Sequence, residues 1–410
     1  MNNEYKGLLF PNTPLDLDLF FDAKDKQDYL VISNSLTITI YCLENEVDFE
    51  EEYSIIDFLA FRQVSVKTLF SDWLNSLETN LNDNHRQYLN TFEYSVTNLL
   101  KAKEYTRLLV KELLNKYSFE EVFLFDYSEP ASFSRENTDA YKKWIMTIHL
   151  EDAGIRCLFT KEKTFKIRFR HLIFSLASRL PRVVLYLEIW LRWLISRPQL
   201  GAIIRLVGRK FKSPQLLFFS SGRDAVFHDI LVKESGFQSL VVSGSSKHDK
   251  NVKGRSEVTF DIDMKTFLAA GSLKPGNRQN NFLSRTKLWE LLVPDSTLSL
   301  KKTFSGKVFM NYLMYRYLRE VNLIRIYEGG INLLSPSAVF CTSLYLPVLA
   351  AKNLKIPTVT QAEGVGIDFN PMAPCPGNMI FSPSKSFNDQ VLNYSRETGE
   401  LSLVGSYYYE

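Results

Sequence analysis

Apolar and polar positions along the 410-residue chain fall into short blocks that favour strands and helices in turn. Tyr29-Leu30-Val31-Ile32 and Leu36-Thr37-Ile38-Thr39-Ile40-Tyr41 are rich in β-branched residues and predict strands. Residues 54–77 and 83–117 predict helices; in the second, Val96, Leu99, Leu100, Leu109, Leu113 and Leu114 mark an apolar face. Glu121 to Asp126 predicts a strand, and 138–152 a helix with Gly154 as its stop. Further on, 215–220 and 239–243 predict strands and 224–235 a helix. Residues 262–270 and 284–292 predict short helices, and 303–323 a longer one followed by a short strand at 324–326. The region 337–360 reads as strand, helix, strand, and 378–381 and 385–396 as a strand and a helix. Strands alternating with helices imply an α/β fold with a largely parallel sheet.

Ligands of open parallel sheets sit at the carboxyl ends of the strands, so candidate chemistry is sought there. The strand at 356–360 runs into Gln361-Ala362-Glu363-Gly364-Val365-Gly366. Its glycines let backbone approach a ligand, and Glu363 has the chemistry of a general base; the plainer alternative is a turn with a solvated Glu. The strand ending at Ser220 leads into Ser221-Gly222-Arg223-Asp224. Free N–H groups and Arg223 at such a helix start suit an anion, with His228 one turn on; the alternative is a helix start capped by Asp224, with a structural His. Glu328, in Tyr327-Glu328-Gly329-Gly330, reads as an acid at a strand end or an ordinary turn. Asp126 follows a strand in the same way.

Charge changes the picture more than composition does. At 45% hydrophobic and 23% charged, the chain has an ordinary globular balance and a net charge of only +3. Residues 161–212, however, hold thirteen Lys or Arg against Glu162 and Glu188, a segment of +11 that leaves −8 elsewhere. Within it, Arg179, Arg182, Trp190, Arg192 and Trp193 are interleaved with aliphatic residues. The apolar run 183–195 is too short to span a bilayer. It suits a helix lying on an anionic membrane surface, or a buried helical hairpin whose arginines reach outward. Nucleic acid is not expected as a partner, because no recognition motif accompanies the charge. The four cysteines lie far apart without a CxxC pair, which argues against disulfides and structural zinc, and no metal cluster is apparent. The first ten residues lack a signal-peptide pattern, and a cytoplasmic location, peripheral on the inner face of the plasma membrane, is expected.

The succession strand, helix, Ile356-Pro357-Thr358-Val359, a turn with Gln361 and Gly364, the Phe381-Ser382-Pro383-Ser384 strand exit, a helix and Val404-Gly405-Ser406-Tyr407 resembles GT-B glycosyltransferases and related polyol-phosphate transferases of bacterial surface polysaccharide assembly. The resemblance covers roughly 335–408. In that family a His stands between the Gln and the Gly; here Ala362 and Glu363 do, so Glu363 replaces the His by position only. It implies a GT-B-like fold: a Rossmann-like, largely parallel sheet formed by 1–160 and 213–404, a basic helical insertion at 161–212, and an interdomain linker from 405. A second GT-B domain is expected to be absent or incomplete, leaving a fragment, a partner chain that supplies a donor domain, or a non-catalytic glycan-binding subunit. The implied activity is transfer of a sugar, or of a polyol phosphate, from a nucleotide-activated donor to a glycan or lipid-linked acceptor. Glu363 or Glu328 would be the base; Gly222, Arg223, Asp224, His228, Gln361, Gly364 and Asp126 would contact substrate. No cofactor or metal is implied.

Overall fold

The computed structural model describes residues 3–56, 93–125, 146–159 except 148, 164–195, 200–208, 214–220, 236–243, 259–276, 304–342, 345–361, 377–382 and 399–403, with a few isolated residues besides. The chain divides into two compact units: Met1–Trp73, Ser95–Ser175 and Ser284–Tyr312 form the first, and Leu74–Tyr94, Leu176–Leu283 and Leu313–Glu410 the second.

The first unit is built on five parallel strands, β2 (Gly7–Phe10), β3 (Tyr29–Ser33), β4 (Phe49–Glu51), β6 (Glu121–Leu124) and β7 (Arg156–Phe159), in spatial order β4-β3-β2-β6-β7. A two-stranded parallel ribbon pairs β1 (Asn3–Glu4) with β5 (Tyr117–Ser118). Strand alternation sends Leu8, Phe10, Leu30, Ile32, Val122 and Leu124 to one face. There they meet Tyr105, Leu109, Val110 and Leu113 of the helix Glu93–Lys116. Leu9, Tyr29 and Val31 face the other way, onto Leu17 and Phe20 of α1 (Pro14–Phe21) and Ile38 and Cys42 of α2 (Leu36–Glu44). Burial on both faces is what an all-parallel sheet requires.

The second unit carries seven parallel strands: β8 (Leu216–Ser220), β9 (Ser239–Ser243), β10 (Thr259–Asp263), β11 (Ala338–Thr342), β12 (Thr358–Gln361), β13 (Met379–Ser382) and β14 (Glu400–Leu403). Their order is β10-β9-β8-β11-β12-β13-β14. Leu217, Phe219, Leu240, Val242, Val339 and Cys341 pack on the helical layer, while Leu216, Phe218, Val241 and Phe340 line the opposite face. Phe218 and Phe340 stack there, 4.6 Å between ring centroids. After α3 (Glu52–Ile55) and the helix Glu93–Lys116, taken as α4, the helices are α5 (Thr164–Arg179), α6 (Pro181–Ile195), α7 (Leu200–Val207), α8 (Met264–Leu273), α9 (Phe304–Leu334) and α10 (Tyr345–Asn353).

Four expectations are corrected. The strands of 1–160 and of 213–404 form two separate sheets, so a second Rossmann-like domain is present rather than absent. Leu36 to Tyr41 is helical: a right-handed crossover between the parallel strands β3 and β4 needs a helix there, which overrides the β-branched pattern. Residues 324–326 continue α9 instead of forming a strand. Residues 259–263, not expected as a strand, form the edge strand β10, so the next helix begins at Met264. Gly154 does end its helix, with φ +81°, a left-handed conformation that glycine adopts freely. The helices expected at 224–235 and 284–292, and most of that at 54–77, fall outside the described residues.

Candidate functional site

Strand order reverses between β8 and β11 in the second unit, where chain order reads three-two-one-four-five-six-seven across the sheet. Neighbouring crossovers leave to opposite sides at that point and open a crevice at the carboxyl ends. The register aligns a row of polar residues along that edge. Ser220 pairs with Ser243, and Thr342 pairs with Gln361. Phe219 pairs with Cys341, which puts Ser220 beside Thr342. Four neighbouring strands thus end in hydroxyl or amide residues astride the switch point. Gln361 was anticipated; Thr342 and Ser243 were not, although each follows an apolar run, the signal that could have found them.

Gly222, Arg223, Asp224 and His228 lie outside the described residues, but Ser220, at the end of β8, places the chain entering them at the switch point. Glu363 and Gly364 also lie outside them, two and three residues beyond the end of β12. Asp126 is outside them too, after Phe125.

Glu328 is placed elsewhere. It lies inside α9, only 3% exposed, and accepts a hydrogen bond from Asn353 Nδ2 at 2.8 Å. Asn353 ends α10, which runs back from the carboxyl end of β11 to the amino end of β12. Glu328 therefore lies toward the edge opposite the switch point, inside a helix and not at a strand end. The helices cross closely beside it: a Cβ on Gly330 would lie 2.4 Å from Phe267 Cζ, and one on Gly271 2.2 Å from the Ile326 carbonyl oxygen.

The first unit has its own switch point, between β2 and β6. Asn12 Nδ2 donates to the Phe125 carbonyl across it at 3.1 Å. The Asp16 carboxylate accepts from the backbone N–H of both Asn12 and Thr13 at 2.9 Å. The amides of the turn leading into α1 thus already hold a carboxylate of the chain's own. Nearby, Ser33 Oγ and Thr39 Oγ1 are 2.8 Å apart. Burial pushes the Glu50 carboxyl up, but hydrogen bonds from Lys116 and Tyr117 bring it below its ordinary value.

The basic stretch folds as α5, α6 and α7. Leu185, Ile189 and Trp193 of α6 enter the core of the second unit, and Trp190 packs partly against it. The two tryptophans meet edge-on at 5.2 Å. Trp193 is a core residue, and Trp190 is partly buried at the core's edge. Arg182 is half-buried, and Arg179 and Arg192 are exposed. Arg192 reaches Glu188 at 2.8 Å, and Arg319 of α9 reaches the same carboxylate at 3.1 Å. Burial pushes Glu188 up, but the Arg319 hydrogen bonds and the charges of Arg319 and Arg192 more than reverse this, leaving it below the ordinary value of 4.5.

Burial raises the thiol pKa of Cys42 to about 11 and of Cys157 to about 12, and pushes that of Cys341 well above its ordinary value, which disfavours a thiolate at all three. Among the described residues, no group of His, Cys, Asp and Glu is arranged to hold a metal ion, and no helix is long and apolar enough to cross a membrane. No family model, curated protein or solved structure matches the chain.

Proposed function

We propose that the protein is a GT-B-like transferase of bacterial surface-polysaccharide synthesis that moves a sugar from a nucleotide-sugar to a glycan or lipid-linked acceptor. The observation that carries this reading is the polar edge Ser243, Ser220, Thr342 and Gln361 at the switch point of a seven-stranded parallel sheet. That strand order is a recurrent nucleotide-binding architecture. A second Rossmann-like sheet in the same chain supports it, because a GT-B enzyme needs two. A partner chain supplying a donor domain is then not needed.

In this reading Gly222 and Arg223, directly after β8, hold the donor diphosphate, with Arg223 offsetting charge on the departing nucleoside diphosphate. Glu363 takes the proton of the acceptor hydroxyl as its oxygen bonds to the sugar anomeric carbon and the bond to the diphosphate breaks. Glu328 has no part in this. Donor turnover, followed by release of nucleoside diphosphate from a panel of nucleotide-sugars, tests the assignment. Glu363→Gln is expected to lower the rate by about a hundredfold or more; a rate equal to wild type removes Glu363 as the base.

A further inference from the structure

We propose that the second unit docks on an anionic bilayer surface through the outer face of α5 and α6, independently of the proposed transferase activity. Leu176, Leu180, Val183, Leu187, Leu191 and Leu194 are each between 48% and 62% exposed. Within α6, Val183, Leu187, Leu191 and Leu194 recur at i, i+4, i+8 and i+11, which keeps an apolar stripe on one helix face, and Leu176 and Leu180 at the end of α5 lead up to it. The α5–α6 junction is a bend at Leu180 before Pro181: Leu180 N–H closes α5 on the Leu176 carbonyl at 2.9 Å, and Val184 N–H opens α6 on that of Leu180 at 3.1 Å. The opposite face of α6 is locked in place by Leu185, Ile189 and Trp193 in the core and by the Glu188–Arg319 pair. The stripe is therefore presented by an anchored helix. α7 adds exposed Leu200 and Ile204 while Ile203 and Leu206 enter the same core.

Charge selects the occupant. The segment carrying the stripe is +11, Arg179 adjoins it in the open, and one of its two acids, Glu188, is already paired with arginines. An apolar face carried by a segment of this net charge matches an anionic lipid surface. A second copy meeting this face would bring two such segments together and repel. The exposed Leu15 and Leu19 of α1 provide a contrast, since Asp16, Asp18 and Asp22 surround them.

Sedimentation of the full chain with phosphatidylcholine vesicles, with and without phosphatidylglycerol, tests the proposal, with gel filtration and light scattering in parallel. Wild type is expected to sediment with the anionic vesicles only. Leu187→Glu/Leu191→Glu, confirmed as folded by circular dichroism, is expected to weaken binding at least about tenfold, and Arg179→Glu about fivefold. Leu15→Glu/Leu19→Glu is expected to leave it unchanged. Should the double variant fail to fold, Arg179→Glu decides. No sedimentation with anionic vesicles, equal binding by the stripe variants, or equal loss in the Leu15/Leu19 control overturns the proposal. So does a dimer that the double variant dissociates while vesicles are ignored.

Discussion

Single residues carry more of the folding than of the chemistry that the sequence can display. Gly330 and Gly271 let α8 and α9 approach to a distance no Cβ permits. Gly330→Ala is expected to cost about 1–3 kcal/mol by forcing Phe267 aside, whereas Gly201→Ala, with nothing within 4 Å of its Cβ, is expected to be neutral or slightly stabilising; thermal melting separates them. Glu188 and Arg319 are a half-buried pair, so Arg319→Ala is expected to cost about 2 kcal/mol, between the surface and buried limits. Glu188 has a depressed pKa, so its contribution is present above 4.5 and lost as pH falls below it. His149 is shifted in the same sense of the scale, with burial as the main cause, below its ordinary 6.5. The unfolded chain then takes up this proton first as pH falls through 6.5, so stability drops there; His149→Gln is expected to flatten that part of the profile of melting temperature against pH. Glu328 shows the limit of reading residues singly. An acid before two glycines looks like a loop, and only the crossing of α8 and α9 explains both glycines inside a helix.

At the scale of elements, most buried central strands were legible because their apolar runs are unambiguous: β3, β6, β8, β9, β11 and β13 follow such runs closely, whereas the short central strand β2 was not read. The edge strands β7, β10 and β14 were not, since Arg156, Asp261 and Glu400 interrupt the pattern that a two-sided core imposes. α2 misled for another reason: Thr37, Ile38, Thr39 and Ile40 favour strand locally, but Ile38 and Cys42 fall on one helical face against β3 and β4. α1 is closed at its start by Asp16, and Asp16→Ala is expected to cost about 1 kcal/mol, read as a lowered denaturation midpoint. In α6 periodicity identified the helix but not its orientation. Apolar residues surround it, and the structure assigns Trp193 to the core and Leu187 to the exterior.

At the scale of the whole molecule, two doubly wound parallel sheets in one chain replace the single sheet that the alternation of elements implied. Counting strands in a sequence cannot show where one sheet stops, because pairing is decided by which apolar faces meet. The carboxyl edge at 220 and 361 was legible as strand ends; the reversal of order that joins it to Thr342 and Ser243 was not. The two edges also differ in kind. In the first unit a carboxylate of the chain sits on the Asn12 and Thr13 amides just before α1, while in the second the edge carries Ser243, Ser220, Thr342 and Gln361, and Gly222 and Arg223 follow Ser220 in sequence. The proposed nucleotide site therefore lies in the second unit. Isothermal titration of the full chain with nucleoside diphosphates tests this most directly. The account predicts saturable binding of at least one of them, weakened about tenfold or more by Arg223→Ala and unchanged by Glu328→Gln in a folded variant. Absence of binding across the panel, or equal affinity in Arg223→Ala, would contradict it.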